Sequence, residues 1–127
     1  MKNNVDVYGI KNVNFSLIEK GDKKWEEMKM QRLNRGFDDS ELWSLDATIS
    51  HFIYPRLKEF VAMEKHGYPS VLNSMEEWDI IFKKILRAFE LLNDDEICGV
   101  LEPDSPEDKE IQEGLDLFRK WFFHLWD

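Results

Sequence analysis

Apolar residues at three- and four-residue intervals constrain this chain more than any other feature. Leu42, Leu45, Ile49, Phe52, Ile53, Leu57 and Phe60 keep that spacing across nineteen positions, the pattern of a helix with one buried face. Asp38 or Asp39 ahead of the run can cap its first turn, because a short side-chain oxygen accepts from otherwise unpaired N–H groups. Glu41 places negative charge where the helix dipole favours it. The reading is a core helix over 39–65. Pro55 interrupts it by withholding an N–H from the carbonyl of His51, so the helix either kinks there or splits in two.

The same spacing recurs elsewhere. Trp25, Met28 and Leu33 lie along one side of a helix over 22–34, with Asp22 as its N-cap and Gly36 at its exit. Trp78, Ile81, Phe82, Ile85, Phe89 and Leu92 define a helix over 75–93, opened by a Ser74–Glu77 capping box, with Lys83, Lys84 and Arg87 on the opposite face. Ser105-Pro106 starts a last helix over 106–125, whose stripe runs Ile111, Leu115, Phe118, Trp121, Phe122, Leu125 and Trp126. The predicted fold is mainly all-α. It is one domain over 1–127, with a compact bundle of about four helices in 21–127. Residues 1–20, with Val5 and Val7, then Val13, Phe15 and Leu17, are a short strand pair or a docked arm. The last stripe is wide for one monomer's core, so a homo-oligomer is expected, with Trp121, Phe122 or Trp126 at the contact.

Charge narrows the partners. The chain carries 26 acidic and 17 basic side chains, a net −9. Residues 1–63 hold ten acids and ten bases, whereas 64–127 hold sixteen and seven, ten of those acids between Asp94 and Asp116. Long nucleic acid finds no basic footprint here. Cys98 is the only cysteine, which excludes an intramolecular disulfide. The sequence shows neither a secretory apolar core nor a run long enough to span a bilayer, which points to the cytoplasm.

Catalytic motifs are missing. Cys98 sits among acids, which disfavour a thiolate, and no nucleophile elbow or phosphate-cradling glycine loop occurs. His51, His66 and His124 lack metal-ligand spacing, and Glu110, Glu113 and Asp116 read as a solvated face, so neither a metal nor another cofactor is expected. A hydrolase built on carboxylates with His51 or His124 is the least supported class. The constellation that carries more chemistry is Arg35, Trp43, Tyr54, Arg56, Tyr68, Trp78, Arg87, Arg119 and Trp126: guanidinium groups clamp phosphate and aromatic faces stack on bases. The plainer alternative is a bundle whose aromatics fill the core and whose arginines pair with surplus acids.

RGFDDSELWSLD, HGYPS with EEWDIIFKKILRAFELL, and EIQEGLDLFRKWFFHLW resemble a family of small bacteriophage proteins over roughly residues 35–127. Asp38 stands where that pattern has a serine; both residues cap helices. The resemblance implies a phage accessory protein in the cytoplasm of an infected bacterium, and a binder rather than an enzyme. Two partners fit: a small phosphorylated nucleotide, such as a cyclic or ADP-ribose-like defence signal held as in a sponge, or a host protein inhibited through an acidic or aromatic surface.

Overall fold

The computed structural model describes residues 9–126. The elements are α1 (Trp25–Arg35), a 3-10 turn (Asp39–Leu42), α2 (Leu45–Ala62), α3 (Met75–Leu92), α4 (Asp95–Gly99), α5 (Pro106–Trp121) and a closing 3-10 turn (Phe122–His124). The fold is all-α, with no β-strand element among the described residues. Val5 and Val7 lie outside those residues. Val13, Phe15 and Leu17 belong to an irregular arm, not a strand. The chain divides into two compact units, residues 1–52 and 53–127, with α2 running across the division.

The first unit is built around a buried polar hub. Asp38 is fully buried. Its carboxylate accepts from the Arg32 guanidinium at 2.5 Å, and from the backbone N–H and hydroxyl of Ser40 at 2.9 and 2.5 Å. Glu41 reciprocates by accepting from the Asp38 N–H at 2.6 Å, completing a capping box on the 3-10 turn. The Leu17 N–H donates to the Ser40 hydroxyl at 2.9 Å, which docks the N-terminal arm. Arg32 also lies over the Trp25 ring, 5.4 Å from its centre. Thus Trp25, Met28 and Arg32 form the inner side of α1, and Leu33, expected there, is exposed. Asp22 is not the N-cap: it accepts from the Lys24 N–H at 2.8 Å one turn earlier. Gly36 ends α1 in a left-handed conformation (φ 86°) that a Cβ would strain.

Burial pushes the Asp38 carboxyl upward, but hydrogen bonds from Ser16, Ser40 and Arg32 outweigh it and hold the group below the usual aspartate range. Glu41 is pushed up, first by burial and then by the neighbouring Asp38 charge. The two act with opposite sign. As pH falls from neutral, stability should first rise as Glu41 takes up its proton in the fold ahead of the unfolded chain. It should then fall as Asp38 protonates, below the ordinary carboxylate range. Thermal melts across that range check this, and Glu41→Gln should remove the rise while leaving the acid loss.

The second unit is an α3–α5 pair closed by the later turns of α2. Leu57, Ile85 and Phe89 form one buried cluster, and Trp78, Phe82 and Trp121 form another. Phe60, Val61, Ile81 and Leu117 pack against both clusters. Ser74 and Ser105 cap α3 and α5, accepting from the N–H groups of Glu77 and Asp108, each at 3.2 Å. The expected capping box is displaced by one residue: the Glu77 side chain accepts from the Asn73 N–H at 2.8 Å, not from Ser74. Lys65 donates to the carbonyls of Phe60 and Met63 and covers the Phe60 ring, neutralising the C-terminal end of α2.

Three sequence expectations change in the helical detail. The helix expected over 39–65 is a 3-10 turn followed by an α-helix that continues unbroken through Pro55. Its apolar positions form two faces, of which only one is buried. Ile53, Leu57, Phe60 and Val61 pack into the second unit's core. Leu45, Ile49 and Phe52 point about 100° away around the helix, and they are about half exposed, like Leu42. Asp95–Gly99, expected as connection, is a short helix whose first N–H groups bond to Asp94.

Candidate functional site

The second unit holds a half-open cleft of about 300 Å³, lined by His66, Gly67, Tyr68, Pro69, Trp78, His124 and Trp126. Three segments supply it: the loop after α2, the start of α3 and the C-terminal turn. Gly67 and Pro69 break the chain after α2, and Leu72 closes that turn by donating its N–H to the Pro69 carbonyl at 2.9 Å. Tyr68 is thereby carried on a loop with its ring exposed, and its hydroxyl makes only a long contact of 3.5 Å to the Asn73 carbonyl. Trp78, in the first turns of α3, is buried against Phe82 and Trp121, with ring centres 4.1 and 5.4 Å away. It forms a fixed floor.

The third side is the C-terminal 3-10 turn. Trp121 is buried and lies edge-on to His124, with ring centres 5.5 Å apart. The Trp126 indole donates to the Phe123 carbonyl at 3.2 Å, which holds its otherwise exposed ring in place. The Trp121 Nε1–H is buried without an acceptor. The lining therefore offers π faces, two imidazoles and no carboxylate. It suits a planar ring bearing a small polar or anionic group.

The other sequence-selected residues lie elsewhere. Arg35 ends α1, donating to Asp39 at 2.6 Å, Gln31 at 3.1 Å and the Phe37 carbonyl at 3.0 Å. Trp43 is exposed after the 3-10 turn of the first unit, and Tyr54 packs on the Leu57 cluster. Arg56 and Arg119 are exposed on α2 and α5. Arg87 joins Glu110 at 2.7 Å and Glu90 at 2.5 Å, and the Glu110 bond chiefly raises its pKa. Of the expected set, the structure brings together Tyr68, Trp78 and Trp126. None of the four arginines lines the cleft. His66 and His124, weighed in the sequence only as metal ligands or hydrolytic groups, take their place on its walls.

Among the oligomer-contact candidates, Trp121 is a core residue, while Phe122 and Trp126 are exposed. A second, shallower groove is lined by Ile80, Lys83, Lys84, Arg87, Glu110 and Glu113. Lys84–Glu113 and Arg87–Glu110 ion pairs bridge it, so much of its charge is already matched.

Among the described residues no group of three or more His, Cys, Asp or Glu side chains could hold a metal ion. No helix there is long and apolar enough to cross a membrane. No family model, curated protein or solved structure matches this chain.

Proposed function

We propose that this chain is a non-enzymatic binding protein that sequesters a small phosphorylated nucleotide in the aromatic cleft. The supporting observation is the convergence of Tyr68, Trp78 and Trp126 with two imidazoles around one half-open space. A base stacked on an aromatic ring there contributes about 1–3 kcal/mol. A volume of about 300 Å³ is at the small end of ligand sites, the size of one nucleotide unit rather than a strand. None of the four arginines lines the cleft, so His66 and His124 are the lining side chains that meet phosphate. An imidazole N–H can donate a hydrogen bond to a phosphate oxygen.

Together with the resemblance to small bacteriophage proteins, this supports an accessory role: removal of a signalling nucleotide made by a host defence system, in the cytoplasm of the infected cell. A second reading, inhibition of a host protein, draws on the exposed Phe123 and Val100 and on the acidic stretch 94–116.

A thermal-shift screen against mononucleotides, cyclic dinucleotides and ADP-ribose derivatives separates the two. Stabilisation by at least one nucleotide is expected. It should be lost in Tyr68→Ala, Trp126→Ala and His124→Ala variants that melt normally without ligand. No stabilisation by any nucleotide would overturn the sponge reading and favour the protein inhibitor.

A further inference from the structure

We propose that the exposed stripe Leu42, Leu45, Ile49 and Phe52, with Trp43 at its edge, is the contact through which two copies of this chain pair about a two-fold axis. Leu45, Ile49 and Phe52 lie four and three residues apart in the first half of α2 and so share one face of that helix, while Leu42 and Trp43 precede them at the end of the 3-10 turn. These five side chains are 48–59% exposed, although the same spacing in α3 yields fully buried positions. Phe15 of the arm lies edge-on to Phe52, with ring centres 6.2 Å apart, and the five side chains together still leave on the order of 500 Å² of apolar surface. An area of that size forms the centre of an interface burying about 800 Å² per partner.

Charge selects the occupant. Each copy carries a net −9, concentrated in residues 64–127, so most faces of two copies repel one another. Between Leu42 and Pro55 the only charged side chain is Asp46. A basic partner would be drawn to the acidic stretch 94–116 and not to this stripe. A surface that is apolar, helical and nearly uncharged matches a second copy of itself, and a two-fold contact makes the stripe self-complementary. The exposed aromatics Phe122, Phe123 and Trp126 lie in the acidic half, and Trp126 already lines the cleft. The self-contact therefore belongs on the turn and first half of α2.

Sedimentation of the full chain over a wide concentration range tests this. The wild type should move from one to two chain masses. Ile49→Glu and Ile49→Lys should each stay at one mass where the wild type is paired, with the dissociation constant raised at least a hundredfold. Mixed in equal amounts, the two variants should recover the double mass, because opposite charges now face one another. Circular dichroism should match the wild type in both; if either unfolds, Ile49→Ser supplies the same readout. A wild type that stays at one mass throughout would overturn the proposal. So would pairing that survives at Ile49 but is lost on Phe123→Ala.

Discussion

Replacing Gly114 by alanine is expected to lower the melting temperature sharply, although alanine is the better helix former by about 1 kcal/mol. Gly114 is buried inside α5, where that helix crosses α3. A methyl group there would sit 2.2 Å from the Ala88 Cβ and 2.6 Å from the Lys84 carbonyl oxygen. The second obstacle is backbone, so no side-chain rotation relieves it. The helices must separate, which loosens Ile85, Phe89 and Ile111 together. Overpacking costs about 1–3 kcal/mol in ordinary cores, and two overlaps on one methyl put this substitution at the upper end. That is roughly 8–12 °C for a chain of this size. Ala88→Gly in the same molecule removes only the first overlap, so it should recover part of the loss. A Gly114→Ala protein that melts at or above the wild-type temperature would show that α3 and α5 do not approach this closely.

A comparable loss is expected in the first unit from Asp38→Ala. The substitution strands the Arg32 guanidinium, whose side chain is only 12% exposed and whose Nη2 already lacks a partner. It also removes the acceptor for the Ser40 N–H and hydroxyl. Breaking one side of a buried pair costs about 3–5 kcal/mol, a large share of the 5–15 kcal/mol that typically holds a domain together. Asp38→Asn should cost less because the amide oxygen still accepts from Ser40. The Asp38→Ala, Arg32→Leu double variant should be more stable than Asp38→Ala alone, since the stranded charge is gone. Urea unfolding of the four members of this cycle measures the coupling. Additive losses would mean that Arg32 and Asp38 do not act as a pair.

The long helices and several of their ends were legible because they depend on neighbouring residues. Ser74, Ser105-Pro106 and Gly36 act locally, and the structure places helix boundaries beside all of them. What depends on distant partners was not. Asp38 reads as a solvent-exposed cap until Ser16 and Arg32 close over it. Gly114 carries no local signal of its role, which is to let α5 pack tightly against α3 at Ala88 and Lys84. In α2 a three-four spacing concealed two faces, because residues 52 and 53 are adjacent in sequence but about 100° apart on a helix.

The cleft follows the same rule. Its aromatic members were already selected by residue type, but His66 and His124 come from a loop and the chain's end, and only the packing of Trp121 sets His124 beside Trp78. The one sequence signal for it was the His66-Gly67-Tyr68-Pro69 break, which presents an aromatic ring on a turn. Residue type alone did not show where the arginines lie, because the same guanidinium that clamps phosphate also pairs with nearby carboxylates, as Arg35 does with Asp39 across the end of α1.

The binding claim is tested most directly by titrating the nucleotide found in the thermal screen while following tryptophan fluorescence, then denaturing the complex and identifying the released compound. The account predicts quenching that saturates at one ligand per cleft, weakens in Trp126→Phe, where Trp78 is the remaining indole of the lining, and releases the nucleotide chemically unchanged. Quenching that is unaltered in Trp126→Phe, or a released compound that differs from the one added, would contradict it.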